Sequence, residues 1–136
     1  MNKRLILLIV IALLVVLVIT GPSILNEKEV PTILSYEVVK QEDVSFENTV
    51  RFILSVVVSR DLSDEELLRV STEVVDRMTS EHDVNAIGIR FYENEAYVGN
   101  VMALASVDWA PLGNWNRANE VETGDYSNHW YNIVFS

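Results

Sequence analysis

The chain has 136 residues, with 20 acidic against 10 basic side chains, a net charge of −10 and no cysteine. Without cysteine there is no disulfide framework, thiolate metal site or lipidated-cysteine anchor. The acidic excess falls after Val30 and repels phosphate backbones and anionic headgroups, so nucleic acid is excluded as a partner class.

Taken in chain order, the first element is an unbroken apolar run from Leu5 to Ile19, behind Lys3 and Arg4 and ahead of Gly21-Pro22. The two cations predict a cytoplasmic N-terminus, with the following chain sent across the bilayer. Leu5 to Thr20 at about 1.5 Å per residue spans about 24 Å, short of a ~30 Å hydrocarbon core. Continuing through Leu25 brings the span close to that thickness. The exit Val18-Ile19-Thr20-Gly21-Pro22 has no Ala-x-Ala, and a proline stands where cleavage would fall. The reading preferred on these grounds is an uncleaved membrane anchor over residues 1–25, with a removed signal and a secreted domain as the alternative. A polar stalk over 26–31 then leads to a small extracytoplasmic α+β domain over 32–136.

Within that domain, alternation predicts a strand over Ile33–Lys40 and a turn at Gln41-Glu42-Asp43. A β-branched central strand follows over Thr49–Ser59, with Phe52, Leu54, Val56 and Val58 on one face. Ser63-Asp64-Glu65-Glu66 has the form of a capping box and opens an amphipathic helix to about Glu81. A third strand is predicted over Asn85–Glu93. A fourth runs from Tyr97 or Gly99 to Trp109, with Val101, Ala103, Ala105 and Val107 inward. A short last strand covers His129–Phe135. The order β-β-α-β-β-β predicts a two-layer α+β domain, a mainly antiparallel sheet of about five strands with the helix on one face. Ile53, Val57, Tyr92, Met102 and Leu104 should lie on the other face, to be covered by the 109–130 loop, a second copy or a ligand.

The loop holds all three tryptophans, in Asp108-Trp109-Ala110-Pro111-Leu112-Gly113-Asn114-Trp115-Asn116-Arg117 and in Gly124-Asp125-Tyr126-Ser127-Asn128-His129-Trp130. Tryptophan offers large contact area at low entropy cost, so such a loop either lines a recognition site or folds over the open sheet. The candidate binding residues are Trp109, Trp115, Asn116, Arg117, Asp125 and His129. No residue is assigned a catalytic role. A small hydrolase using Asp125 and His129, with Asp108 as a further acid, is the alternative, although no Gly-x-Ser-x-Gly turn occurs. His82, in the last helical turn, suits the negative end of the dipole rather than a metal. The two histidines lack zinc-site spacing, and neither a calcium loop nor a phosphate loop occurs, so no metal or cofactor is expected.

The Ala110-Pro111-Leu112-Gly113-Asn114-Trp115 segment, with Asp125-Tyr126-Ser127-Asn128-His129 before a final strand, resembles a small uncharacterised domain family of prokaryotic envelope and phage-associated proteins. That family likewise reads Ala-Pro-x-Gly-x-Trp and Asp-Tyr-Ser-x-His, and the likeness spans about residues 36–135. It implies a shared fold of unknown function and carries no site residue across. The expected role is a non-catalytic, membrane-tethered accessory or interaction domain with an unidentified protein partner, attached through residues 5–25. A homodimerising structural module is a further alternative.

Overall fold

Strand-period alternation and one helical stripe have to bury their apolar sides against each other, and the computed structural model shows how they do so over residues 34–59, 61–100 and 102–135. Five strands, β1 (Tyr36–Asp43), β2 (Arg51–Val58), β3 (Ala86–Tyr92), β4 (Ala105–Pro111) and β5 (His129–Phe135), form one sheet in sequential order. The helix α1 (Asp64–Glu81) joins β2 to β3, which makes this pair parallel; the other three pairings are antiparallel. A parallel neighbour cannot be reached by a tight turn, so the helical crossover and the parallel pair are one feature. The expected α+β architecture is present as a five-stranded mixed sheet with one helix. The anchor and stalk expectations lie outside the described residues, among which no helix is long and apolar enough to cross a membrane.

The capping box forms as the sequence predicts. The Glu66 amide donates to Ser63 Oγ at 3.3 Å, and the Ser63 amide donates to Glu66 Oε2 at 3.0 Å. At the other end His82 is the C-cap, its amide donating to the Met78 carbonyl at 2.9 Å. Leu67, Val70, Val74, Val75 and Met78 of α1 pack on Leu54, Val56, Ile87, Ile89, Phe91 and Val107 of the sheet, all buried. Each such side chain contributes about 1.5–3 kcal/mol by leaving water, so this layer dominates the stability.

The edges depart from the sequence reading. Gln41-Glu42-Asp43, expected as a turn, continues β1 behind an irregularity between Val38 and Lys40. The reversal comes later, where Phe46 pairs with Thr49 and Glu47 takes a φ of 52°. An extra residue shifts the register without ending the ladder, and it also spoils β1 as a template for foreign strands.

The fourth strand begins at Ala105 rather than near residue 97. Asn94 intervenes: its Oδ1 accepts from the Ala96 amide at 2.9 Å and starts a 3-10 turn over Glu95–Tyr97. Gly99, at φ 78°, turns the chain again. Met102 and Leu104 are therefore exposed loop residues beyond the open sheet face, at 79% and 36%. Ala103 lies outside the strand and Val101 outside the described residues. Ile53 and Val57, half-buried, and Tyr92, buried, do lie on that face.

Candidate functional site on the open sheet face

Alternation on β3 and β4 puts Ala86, Gly88 and Ala110 on the face away from α1, where their small size leaves a shallow bed. A 3-10 helix over Trp115–Glu120 lies in it. Ala118, 1% exposed, packs with Ala86 and Ala110, and half-buried Trp115 closes the same cluster. A Cβ added to Gly88 would stand 3.3 Å from Trp115 Cζ3, so the indole rests on bare backbone. The Arg51 guanidinium sits 5.5 Å from the Trp115 ring centroid, a cation–π contact from β2. Part of the loop thus covers part of the open face, which was one of the expected coverings.

A tight turn delivers the chain from β4 to this helix. Leu112 and Gly113 have φ of 51° and 68°, and the Asn114 amide donates to the Pro111 carbonyl at 3.1 Å. Two consecutive left-handed residues make a turn of the primed kind. Glycine tolerates this freely, whereas Leu112 carries about 1 kcal/mol or more of strain. Gly113 is held over β5: a Cβ there would meet Asn132 Cβ at 3.4 Å. Asn114 then caps the 3-10 helix, its Oδ1 accepting from the Asn116 amide at 3.0 Å.

Between this turn and β5 lies an open groove of about 450 Å³. Asp108 forms part of its floor, Trp115 and Asn116 line one side, and Trp130 and Asn132 line the other. Arg90 Nη1 meets Asp108 Oδ1 at 2.9 Å, with both side chains about a quarter exposed, so the acidic floor is neutralised by a cross-strand ion pair. Trp130 is 60% exposed, a large cost in unburied aromatic surface for a residue in a strand.

The sequence-chosen candidates separate into three places. Trp115 and Asn116 line the groove. Arg117 sits beside it, paired with Glu120 (Nε to Oε2, 2.7 Å). Trp109 is 7% exposed on the helix side of the sheet, part of the main core, and so does not reach the groove. His129 is also on that side, its ring centroid 4.4 Å from that of Trp109 and 5.5 Å from that of Tyr126. Asp125 is exposed and accepts from the Ser127 amide at 3.1 Å; that bond holds its carboxyl below the usual range.

This geometry does not assemble the hydrolase set. His129 Nε2 lies 2.8 Å from the Asn85 carbonyl, which can only accept, so Nε2 carries the proton and is occupied. Nδ1 is buried with no hydrogen-bond partner, so Asp125 does not orient the ring. Asp108 faces the opposite side of the sheet and is already paired. His129 instead belongs to a structural knot around buried Asn85. Its Oδ1 accepts from the Val50 amide and from Thr123 Oγ1, each at 2.8 Å, and its Nδ2 donates to the Val121 carbonyl at 3.0 Å.

Trp130, Asn132, Asn114 and Gly113 were not among the sequence-chosen residues. The signal that could have found the first two is the period of β5, where Trp130, Asn132 and Val134 alternate with His129, Tyr131 and Ile133.

Fold and groove define a small α+β domain, one sheet face sealed by its helix and the other left as a polar, tryptophan-lined trough. The chain belongs to the family described as Domain of unknown function (DUF4875), whose model matches residues 31–127. The match includes the Pro111–Asn114 turn and Trp115, and stops before β5. No curated protein and no solved structure matches the chain.

Proposed function

We propose that this chain is a membrane-tethered, extracytoplasmic recognition domain without catalysis, and that the open-face groove is its contact surface. The observation that carries the reading is Trp130, an exposed indole opposite Trp115 and Asn116 across a ready-formed trough. Exposed aromatic area on a rigid strand, backed by a turn that stores strain, is the pattern of a surface kept for binding. The apolar Leu5–Ile19 run behind Lys3 and Arg4 supports the tether and an N-terminus facing the cytoplasm. The likeness of the Ala110–Trp115 segment to envelope and phage-associated domains agrees with that setting.

A reporter fused behind Ser136 tests the topology: activity outside the cytoplasm is the expected result, and activity confined to the cytosol overturns the tethered reading. A photo-crosslinking residue in place of Asn132, in the intact chain in cells, tests the groove. Adducts that form with native Trp130 and vanish in Trp130→Ala are expected.

A second reading, self-association through β5, is favoured by one observation. Val134 and Phe135 at 54% and 53% exposure stand on an edge strand, with Met102 and Leu104 exposed nearby in sequence to β4. Light scattering on residues 30–136 separates a dimer from a monomer.

A further inference from the structure

We infer that the groove binds a neutral oligosaccharide, through the pyranose rings of its sugars; this rests on the recognition reading above and names its ligand class. Three properties of the trough narrow the chemistry. First, its charge is cancelled: Asp108 is the acidic lining residue, and Arg90 holds it at 2.9 Å. Among the described residues no lysine or arginine lines the trough, so phosphate and sulfate groups find no counter-charge there, within a chain of net charge −10. Second, its polar groups are carboxamides. The side chains of Asn116 and Asn132 make no hydrogen bond with other described residues, and Asn114 uses its Oδ1 for the cap, leaving its amide donors to the trough. A carboxamide both donates and accepts, as does each hydroxyl of a sugar, so the trough's polar groups match a polyhydroxylated ligand.

Third, the largest exposed apolar side chain of the lining is the Trp130 indole, with half-buried Trp115, Leu112 and Tyr131 also lining the trough. Trp130 is the stacking platform, since Gly88 and the Arg51 guanidinium already contact the Trp115 ring, and the faces of pyranose rings carry axial C–H bonds that stack on the negative face of an aromatic ring. A lipid or drug-like ligand would need a predominantly apolar lining, whereas Asn114, Asn116, Asn132 and Asp108 make up much of this one. The trough is open to solvent and about 450 Å³ in volume, within the ~300–1,000 Å³ range of small-molecule sites. An open trough can hold part of a longer chain whose remainder stays in solvent. Leu112 fits the same picture. Its left-handed backbone is the strained element that places the Leu112–Asn114 wall over β5.

The experiment titrates the full-length purified protein with the hexasaccharides of β-1,4-linked N-acetylglucosamine, of β-1,4-linked glucose and of α-1,4-linked glucose, followed by tryptophan fluorescence and calorimetry. Inorganic phosphate and a heparin hexasaccharide serve as anionic probes. Saturable binding of at least one neutral sugar is expected, with Kd between about 10 μM and 1 mM. Trp130→Ala should weaken it at least tenfold and Asn132→Ala about threefold, both without a change in Tm. Tyr97→Ala, an exposed aromatic outside the trough, should leave it intact. The inference is overturned if no neutral hexasaccharide binds, if Trp130→Ala binds as the native protein does, or if only the anionic probes bind. Crosslinking at Asn132 keeps the two readings apart. Trp130-dependent protein adducts with no sugar binding remove the sugar and leave the recognition surface, whereas loss of both removes the surface as well.

Discussion

The two faces of the sheet answer the same problem in opposite ways. On the face toward α1, Ile87, Ile89, Phe91 and Val107 are fully buried beneath the apolar stripe of an amphipathic helix. On the other face a six-residue 3-10 helix rests on Ala86, Gly88 and Ala110, and beside it the Arg90–Asp108 pair and Trp130 stay in contact with water. The first face is held by area and the second by a few placed contacts. The difference teaches where to look for function, because a surface that stability does not require is free to be shaped by a ligand.

The comparison breaks most visibly from the sealed side. Ile89→Ala should cost about 3–4 kcal/mol, because the central position cannot collapse around the missing carbons. Chemical denaturation measures this as a fall in midpoint at unchanged slope. A cost near 1 kcal/mol would mean that the helix layer is looser than its burial indicates. Asn85→Ala comes next, at about 2–3 kcal/mol, since it strands the Val50 amide and the Val121 carbonyl at once and leaves the Thr123 hydroxyl only the Asn48 carbonyl. Because the Val121 carbonyl loses its donor, that variant should also loosen the 121–129 segment, read as faster amide exchange at Gly124, whose amide donates to the Val84 carbonyl.

The sealed face was legible in the sequence, and the open one only in part. Alternation in β2 and β3, the stripe of α1 and the Ser63–Glu66 box all express local geometry with a fixed period, so their faces could be read directly. The edges could not, because one extra residue at Val39 and one capping side chain at Asn94 outweigh the pattern around them. The three tryptophans show the limit best. Composition grouped Trp109, Trp115 and Trp130 in one loop, yet strand register sends Trp109 to the core, a 3-10 helix lays Trp115 on Gly88, and β5 carries Trp130 into water. Which side of β5 faces inward depends on its pairing with β4, a non-local fact, and both of its sides carry aromatic residues. The Asp125–His129 pairing failed for a similar reason. The carbonyl that occupies His129 belongs to Asn85, 44 residues earlier.

The two groove tryptophans sharpen the comparison at intermediate size. Trp115→Ala should cost about 2 kcal/mol, because the indole is half-buried over Gly88 and under the Arg51 guanidinium. Trp130→Ala should cost no more than about 0.5 kcal/mol. Equal costs would erase the distinction between covering and contact residues. Leu112→Asn should stabilise by about 0.5–1 kcal/mol, since asparagine enters the left-handed region more easily. If the native strain serves the groove, this gain is accompanied by altered ligand affinity; unchanged or reduced stability would show that Leu112 is held there by its own contacts.

The smallest effect concerns Asp125, on the exposed segment that leads from the Asn85 knot into β5. The Ser127 amide first, and its hydroxyl second, favour the ionised carboxylate and hold its pKa below the ordinary aspartate value. A folded-state pKa below the unfolded one adds stability that is complete above pH ~4 and is lost as pH falls through the folded value. Asp125→Asn keeps a carbonyl acceptor for the Ser127 amide and removes the titration. The Tm difference between the native protein and this variant should therefore be constant from pH 7 to about 5 and shift in favour of the variant below pH ~4. Asp43, held low in the same sense by the Ser45 hydroxyl and amide, keeps titrating in both proteins and cancels in the difference. A difference that stays flat to pH 2.5 would show that the turn at Asp125 is not formed in the folded protein as described. The chain would then approach β5 by another path, and the side chains that β5 presents to the groove would have to be placed again.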